Sequence, residues 1–316
     1  MSEYILEIKN LRKVFDSDLF KEKVEAIKNI SCRFPEGSAT AVIGHNGAGK
    51  TTTIRTLLGL LKPTEGEILY KGSPITKEDR SNIGYMPEVH RLTGALTPKE
   101  TLAIHLKFFA HIPKRDHEEL VEKALKRVGL EDHKGKYLKN LSKGLQRRLA
   151  FALATIHSPK LLILDEPFSG LDPLAHGHME KWIREEKSRG ATIIMSSHQV
   201  SSIVKTCDFF HVILNGEIAY SSVDESNLEK STSGYTIEVS GIDQNSLTGL
   251  FDHTGVNPPS AWHNTDFQHT LAYETYTDAS SAMKALLEEG ALITKFAEAS
   301  NLSETLILSM LQKGGK

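Results

Sequence analysis

The sequence is poor in the features that mark secreted, membrane-spanning or nucleic-acid-binding proteins. Only two cysteines, Cys32 and Cys207, occur in 316 residues, and their spacing suits neither a disulfide framework nor a metal site. No apolar run reaches the roughly 18 residues that a membrane-spanning helix needs, and Met1–Tyr4 starts no signal peptide. Lysine and arginine number 38 against 40 acidic residues, which indicates no general nucleic-acid binder. These shortages predict a protein of a reducing compartment, with any membrane span carried by another chain.

A glycine-rich segment, Gly44–Thr51, fits the phosphate-loop pattern G-x-x-x-x-G-K-[ST] without a mismatch. Ala39–Ile43 before it predicts a buried strand, and the residues after Lys50 predict a helix whose N-terminus faces the phosphates. Glycines let the backbone turn its N–H groups towards an anion. We expect Lys50 to lie against the outer phosphates and the Thr51 hydroxyl to bind Mg²⁺. The segment therefore predicts a nucleoside triphosphate site.

A second group of polar residues lies in the second half of the chain. The apolar strand predicted at Lys160–Leu164 is followed by Asp165 and Glu166. We expect Asp165 to reach Mg²⁺ through water, and Glu166 to orient or deprotonate an attacking water. Ser142 begins a helix in a helical insert, and a helix N-terminus with a serine hydroxyl is a second phosphate-binding device. Because it lies at the far end of the insert, we expect Ser142 to serve a nucleotide held by another subunit.

Six motifs that follow one another over residues 4–220 resemble the ATP-binding subunit of ABC transporters. In chain order they are Walker A at Gly44–Thr51, the Q-loop position at Tyr85–Glu88, the signature at Leu141–Leu145, Walker B at Leu161–Asp165 with Glu166 behind it, the D-loop at Ser169–Asp172 and the switch histidine at Ser196–His198. A phosphate loop alone leaves kinases, GTPases and many ATPases open. The ordered set of six is specific to this family.

The resemblance implies a Mg²⁺-dependent ATPase that forms a head-to-tail dimer, with two ATP molecules held between Walker A of one chain and the signature of the other. It implies catalytic roles for Lys50, Glu166 and His198, and a Mg²⁺ site at Thr51, Glu88 and Asp165. The ATP-binding residues that it implies are Phe15, Gly44, His45, Asn46, Gly47, Ala48, Gly49, Lys50, Thr51, Thr52, Ser142, Gly144 and Asp172. Phe15 is expected to stack on adenine, with Phe20 as the alternative.

The partners and the location of the chain are also implied by the resemblance. The partners are a transmembrane permease subunit and, in the dimer, this chain itself or a homologous ATPase subunit; no nucleic acid is expected. The chain is then cytoplasmic and peripheral, held at the inner face of the cell membrane by a membrane subunit. Glu88 stands where most of the family has Gln, and LSKGL replaces the common LSGGQ. Both variants resemble the branch that powers type-2 exporters, and Asn301–Leu308 is loosely similar to the closing helix of that branch.

The order of predicted elements indicates an α/β fold with two domains. We expect residues 1–222 to form a P-loop NTPase sheet domain of the ABC ATPase type, with an N-terminal antiparallel β part and a helical insert at about 89–158. A linker at 223–235 and a small α+β accessory domain at 236–316 follow. The strands predicted for the first domain are Tyr4–Ile8, Ala26–Phe34, Ala39–Ile43, Glu67–Tyr70, Asn82–Met86, Lys160–Leu164, Ala191–Met195 and Phe209–Leu214, with a helix after His198. Those of the second are Tyr235–Val239, Phe267–Tyr276 and Leu292–Ala297, with helices near Leu247, at Ala279–Glu289 and at Glu304–Leu311.

Several further features have plainer interpretations. We interpret the basic run Lys134–Lys143, together with Arg147 and Arg148, as a solvated face. His176 and His178 are interpreted in the same way, because no third metal ligand is visible near them. The pair Phe108 and Phe109 is interpreted as core.

Two alternatives to an exporter ATPase stay open. Residues 236–316 could be a regulatory ligand-binding domain on the ATPase of an importer. The chain could also be an ABC protein that works as a mechanical clamp on DNA or ribosomes. Such proteins usually carry long coiled coils or two cassettes, whereas this sequence has one phosphate loop and no sustained heptads. A GTPase is disfavoured because the guanine motif Asn-Lys-x-Asp does not occur.

Overall fold

The computed structural model describes residues 3–16, 23–89, 94–198, 203, 206–223, 234–264, 269–273 and 275–299. They divide into two compact units. The first contains the described residues from 3 to 198 together with 206–223, and the second contains those from 234 to 299 together with Ile203. The helices expected after His198 and at Glu304–Leu311 lie outside the described residues, apart from Ile203. Of the helices in the described part of the chain, none has the length and apolarity needed to cross a bilayer.

The first unit is built on one ten-stranded sheet. In chain order its strands are β1 (Tyr4–Asp16), β2 (Lys23–Pro35), β3 (Ala39–Ile43), β4 (Glu65–Tyr70), β5 (Ser73–Pro74), β6 (Ile83–Met86), β7 (Leu161–Asp165), β8 (Thr192–Ser197), β9 (Phe209–Leu214) and β10 (Glu217–Ser221). In space the order is β5-β4-β1-β2-β10-β9-β3-β8-β7-β6. Strands β6, β7, β8, β3 and β9 run parallel, whereas β1 pairs antiparallel with β2 and β4. The expected α/β fold with an antiparallel N-terminal part is thus confirmed.

The parallel strands at the centre of the sheet are buried along their whole length. Every residue of β3, β7 and β8 is buried, which explains why each reads as an unbroken apolar or small-residue run. The carboxyl ends of these three neighbours meet at one edge of the sheet. Polar residues that follow β3, β7 and β8 are therefore brought together, although they are far apart in the sequence.

Three strands differ from the sequence-based expectation, and the shortest of them, the two-residue β5, was not predicted. Strand β1 continues to Asp16 instead of ending at Ile8, because Asn10 adopts φ 48° and absorbs a shift in register against β2. Strand β10 was not predicted. It pairs antiparallel with β9 through the turn at Asn215 and Gly216, and its alternation of exposed and half-buried residues is too weak to signal a strand.

Five helices accompany the sheet: α1 (Lys50–Leu57), α2 (Pro98–Leu106), α3 (His117–Arg127), α4 (Lys143–Thr155) and α5 (Pro173–Ser188). The predicted helical insert consists of α2, α3 and α4, which contact one another. Helix α2 begins with a capping box between Thr97 and Glu100. The interpretation of Phe108 and Phe109 as core holds for one of the two: Phe109 stacks on His157 at 4.0 Å, whereas Phe108 is 79% exposed.

Between residues 234 and 299, the described part of the second unit is a four-stranded antiparallel sheet with two helices. Its elements are β11 (Gly234–Ser240), α6 (Gln244–Thr254), β12 (Ala261–Asn264), β13 (His269–Tyr273), α7 (Tyr276–Glu288) and β14 (Leu292–Ala299), with strand order β12-β13-β11-β14. Ile237, Leu247, Leu271 and Leu286 form part of its own core. Two predictions were wrong here. Strand β12 was missed, and the strand expected at Phe267–Tyr276 is shorter because Thr275 caps a helix that begins at Tyr276.

Candidate active site

The phosphate loop joins β3 to α1 and depends on glycine at two points. Gly49, directly before α1, has φ 109°, and an added Cβ would lie 2.7 Å from the carbonyl oxygen of Ala26. At Gly44, an added Cβ would lie 2.5 Å from the carbonyl oxygen of Ile213. Neither distance leaves room for a methyl group, so the loop approaches its neighbours as closely as only glycine allows. This close packing fixes the path of the loop.

The remaining loop residues lie at an open tip or support the start of α1. Asn46 and Gly47 are exposed and His45 is half-buried, whereas Ala48 is buried and its carbonyl accepts a hydrogen bond from Gly216 N at 3.1 Å. No side chain caps α1, because the cap position is glycine. The first-turn amides, which include those of Thr51 and the half-buried Thr52, form the kind of helix N-terminus that binds anions.

Lys50 is a buried cation held at the mouth of the loop. Its Nζ donates to the carbonyl oxygens of Gly44 at 2.7 Å and His45 at 3.2 Å. It also lies 3.5 Å from Oε1 of Glu166, and both side chains are less than a tenth exposed. A buried charge needs such partners. These partners hold the Lys50 ammonium beside the phosphate loop, where phosphate oxygens are expected.

Asp165, at the end of β7, joins the loop helix to β8. Its Oδ1 accepts hydrogen bonds from Ser196 Oγ at 2.5 Å and Thr51 Oγ1 at 3.4 Å. Burial raises the pKa of the Asp165 carboxyl, the hydrogen bonds from Ser196 and Thr51 oppose that shift, and the charge of Glu166 adds to it. A buried carboxylate beside a hydroxyl offers two hard oxygen ligands, which is the donor set that suits Mg²⁺.

Glu166 lies between the side chains of Lys50 and His198. Its Oε2 is 2.9 Å from His198 Nδ1, and its Oε1 faces Lys50. Its backbone has φ 50°, which is uncommon for a residue with a side chain and is concentrated at functional sites. The backbone N–H of Glu166 donates to Ser196 Oγ at 3.0 Å. The carboxylate is thus placed at the mouth of the site, where it could accept a proton from water.

Ser142, Gly144 and Asp172 are not brought to this site within the chain. Ser142 is exposed and caps α4 by accepting from Leu145 N at 3.3 Å, with Gly144 in the first turn of the same helix. Asp172 caps α5 by accepting from Ala175 N at 2.9 Å. The bonds that the structure assigns to Ser142 and Asp172 are local to their helices. The signature helix therefore presents its N-terminus outward.

Phe15 and Glu88 are tied to the candidate site less closely than the residues of the phosphate loop are. Phe15 is 36% exposed, with Lys13 Nζ 5.0 Å from the centre of its ring, and its rival Phe20 lies outside the described residues. Glu88 is exposed, and its carbonyl accepts a hydrogen bond from Arg147 Nη1 at 2.9 Å. In the described part of the chain, the Glu88 carboxylate makes no hydrogen bond to Thr51 or Asp165.

Sequence reasoning missed two residues of the site, Arg147 and Ser196. The interpretation of Arg147 as part of a solvated face is wrong, because its guanidinium donates to the carbonyls of Glu88, Glu166 and Pro167. The signal that could have found it is helical spacing, since it lies three residues before the buried Ala150. Ser196 belongs to the switch motif, but its bridge between Asp165 and Glu166 has no signature in the sequence.

His176 also departs from the interpretation as a solvated face. Its ring stacks on Phe168 with ring centres 4.4 Å apart, and its Nδ1 lies 3.5 Å from Glu180. Lysines of the basic run, by contrast, are exposed at positions 134, 136, 139 and 143.

Comparison with known proteins agrees with this geometry. The sequence model described as ABC transporter matches residues 27–169. The uncharacterized ABC transporter ATP-binding protein YhaQ of Bacillus subtilis is 36% identical over 196 residues, which cover 61% of this chain and 64% of that relative. The bacitracin transport ATP-binding protein BcrA of Enterococcus faecalis is 30% identical over 321 residues, which cover 99% of this chain and 98% of that relative. The chain thus spans less than two thirds of YhaQ and nearly all of BcrA.

A solved structure gives the same result. The fold is similar to cbiO1 from Clostridium perfringens, described as part of the ABC transporter complex cbiONQ, with a TM-score of 0.59 and 30% identity over 70% of this chain and 88% of that chain. The likeness covers a share of the chain comparable to the first unit. Together with the near-complete match to BcrA, it shows that the chain belongs to the family of ATP-binding proteins of ABC transporters.

Proposed function

We propose that this chain is the ATP-hydrolysing subunit of an ABC transporter, which dimerises on ATP and drives a separate membrane subunit. The observation that carries the proposal is the meeting of Lys50, Thr51, Asp165, Glu166 and His198 at the carboxyl ends of three neighbouring parallel strands. A phosphate loop, a hard-oxygen pair and a carboxylate braced by a histidine form the parts that phosphoryl transfer to water requires.

Each residue then has a defined task. Lys50 and the first-turn amides of α1 hold the outer phosphates, because they combine a buried cation with a helix N-terminus. Thr51 and Asp165, with Glu88 from the Q-loop position, would hold Mg²⁺, which offsets phosphate charge when bound. Glu166 orients the attacking water and takes its proton as the water oxygen bonds to the γ-phosphorus and ADP leaves. His198 holds the Glu166 carboxylate in place through Oε2.

The remaining family residues act across the dimer in this proposal. Ser142 and Asp172 are exposed at helix starts, and Gly144 lies in the first turn after Ser142, so we infer that the three complete the site of a second copy or a homologous ATPase. Phe15, at the end of β1, stacks on adenine. Two sites of this kind per dimer would make ATP binding and dimer formation one event.

The membrane subunit and the accessory domain belong to the same proposal. Residues 1–222 form the ATPase, with its insert at 89–158. The linker expected at 223–235 ends before Gly234, where β11 begins, and the small domain that follows supports dimer or permease contacts. The near-complete match to BcrA, which is named for bacitracin transport, supports an exporter that works at the inner face of the cell membrane. A membrane protein should copurify with the full chain from detergent extracts, and less should copurify with a chain that ends at Ser222.

Glu166→Gln is the decisive test. The amide keeps the shape of the side chain but cannot accept the proton, so ATP should still bind while hydrolysis falls at least about 100-fold. The variant should accumulate as an ATP-bound dimer in gel filtration. The matched control is Glu119→Gln, on the outer face of α3, where the side chain is 68% exposed and forms an ion pair with Lys123. Wild-type hydrolysis by Glu166→Gln would exclude Glu166 as the base.

A further inference from the structure

The side chain of Arg147 joins three segments of the first unit. It extends from α4 and donates from Nε to the carbonyl of Pro167 at 3.1 Å and from Nη1 to the carbonyl of Glu88 at 2.9 Å. Its Nη2 donates to the carbonyl of Glu166. The donors of one planar guanidinium thus connect the helix that begins at Ser142 with the segments that follow β6 and β7.

The carbonyl that Nη2 contacts belongs to an unusual residue. Glu166 adopts φ 50°, a conformation that a residue with a Cβ rarely keeps unless its surroundings hold it. On one side its N–H is bound by Ser196 Oγ, and on the other its carbonyl is bound by Arg147. Both peptide groups that flank Glu166 are therefore fixed, and with them the direction of the carboxylate towards Lys50 and His198.

The surroundings of the guanidinium suit a cation held in place. Arg147 is half-buried, and burial lowers the pKa of its guanidinium, while the charges of Glu88, Glu166 and Asp165 oppose that shift. The charge is therefore kept among carboxylates that the proposed reaction uses. A lysine at this position would supply a single ammonium group, which cannot reproduce the planar set of donors through which the guanidinium reaches three carbonyl groups.

We propose that Arg147 is a positioning residue for the hydrolysis step: it holds the backbone of Glu166 so that the carboxylate meets the attacking water, and it links that backbone to the signature helix and to Glu88. The inference rests on the proposed function, because it takes Glu166 as the base. Arg147 acts through Glu166 and not on the substrate. Its removal should therefore lower the rate of hydrolysis without weakening the binding of ATP.

The test compares steady-state ATP hydrolysis by Arg147→Gln, Arg147→Lys and the matched control Arg148→Gln. Arg148 is the next residue of α4, and its guanidinium donates to the carbonyl of Val128 inside the insert. We expect Arg147→Gln to lower kcat about 10- to 100-fold, the effect of a misplaced catalytic group, with KM changed less than about threefold. Arg147→Lys should recover part of the loss, and Arg148→Gln should keep kcat within about threefold of wild type.

A double-mutant cycle separates positioning from general damage. Residual hydrolysis is measured for Glu166→Gln with and without Arg147→Gln. If Arg147 acts through the Glu166 carboxylate, its removal costs little once that carboxylate is gone. An equal loss in both backgrounds, or wild-type kcat in Arg147→Gln while Glu166→Gln is inactive, would overturn the role of Arg147. Full activity of Glu166→Gln itself would instead overturn the proposed function.

Discussion

Lys50 is the residue on which nucleotide affinity should depend most. Its Nζ is held by two loop carbonyls within the mouth of the site, and so it needs little rearrangement to meet phosphate oxygens. We expect Lys50→Ala to cost about 2–3 kcal/mol of binding free energy, the loss of one charge-assisted contact. That corresponds to roughly a 30- to 150-fold weaker affinity. ATP titration by calorimetry checks it, with the exposed Lys71→Ala as control; unchanged affinity in a folded Lys50→Ala protein would contradict the Walker A assignment.

Asp165 should destabilise the fold at neutral pH. Burial raises the pKa of Asp165 above its value in the unfolded chain, so ionisation of this carboxyl lowers the free energy of unfolding at neutral pH. This loss of stability disappears as the pH falls through the raised pKa, because the carboxyl is then protonated in the folded protein. Asp165→Asn should therefore raise the midpoint of thermal unfolding near pH 7, by about 2–4 °C per kcal/mol of penalty removed. The gain should shrink in acid, while binding of Mg²⁺-ATP is weakened.

Asp79 provides a control in which the expected change in stability has the opposite sign. Hydrogen bonds from the Thr76 N–H and hydroxyl lower the pKa of the Asp79 carboxyl, so its ionised form favours the folded state above the unfolded pKa. Asp79→Asn should lower the midpoint at neutral pH, and that loss should fade as pH falls through the lowered pKa. Thermal melts of both variants between about pH 2 and 8 measure the two signs, because the Asp79 effect fades only below the ordinary carboxyl pKa, and a parallel response would refute the electrostatic explanation.

At the scale of single elements, the glycines of α1 and α5 should respond in opposite ways to alanine. Gly49→Ala introduces a Cβ at φ 109° and 2.7 Å from a carbonyl oxygen, so it should destabilise by more than the roughly 1–2 kcal/mol of left-handed strain and abolish ATP binding. Gly177 lies within α5, exposed, with open space around its Cβ position. Gly177→Ala should stabilise by about 0.5–1 kcal/mol. Urea unfolding measures both, and a neutral Gly49→Ala would contradict the close approach.

Elements with strong local patterns could be predicted, and those that depend on distant partners could not. The buried parallel strands could be predicted because each is a run of apolar or small residues that ends at or beside a motif residue, such as Asp165 in β7. The extension of β1 past Asn10 depends on a bulge against β2, and β10 depends on pairing with β9. The local periodicity of the sequence shows neither the extension of β1 nor the presence of β10. A bulge and a weakly buried strand both interrupt the alternation of buried and exposed residues.

The same distinction applies to the candidate site. Lys50, Thr51, Asp165, Glu166 and His198 were predicted as site residues because their motifs are contiguous, and the structure brings them together. The bonds of Arg147 and Ser196 join segments that no motif connects. A run of charged residues looks the same in the sequence whether its side chains face water or donate to buried carbonyls. The partial burial of Arg147 is therefore visible only in the structure.

For the whole molecule, the outward-facing signature helix predicts that two chains share each site. Chains with Lys50→Ala lack a working Walker A, and chains with Ser142→Arg lack a working signature. A mixture should regain part of the ATPase activity, because one heterodimer site then combines an intact Walker A with an intact signature. The control mixes Lys50→Ala chains with chains that carry both changes, which leaves no intact site. No recovery in confirmed heterodimers would mean that each chain works alone.

The position of β3 has a consequence for synthesis of the chain. Both neighbours of β3 in the sheet, β8 and β9, come from far later in the sequence: Ala39 pairs with Ile193, and Thr40 with Phe209. At roughly 5–20 residues per second, a ribosome needs on the order of 10 s or more to make them. During that interval β3 is an apolar strand without its native partners, the kind of segment that associates with other chains. Slow translation or a stall before residue 192 should therefore raise the demand for chaperones, and nascent chains of intermediate length should be the species most prone to aggregation.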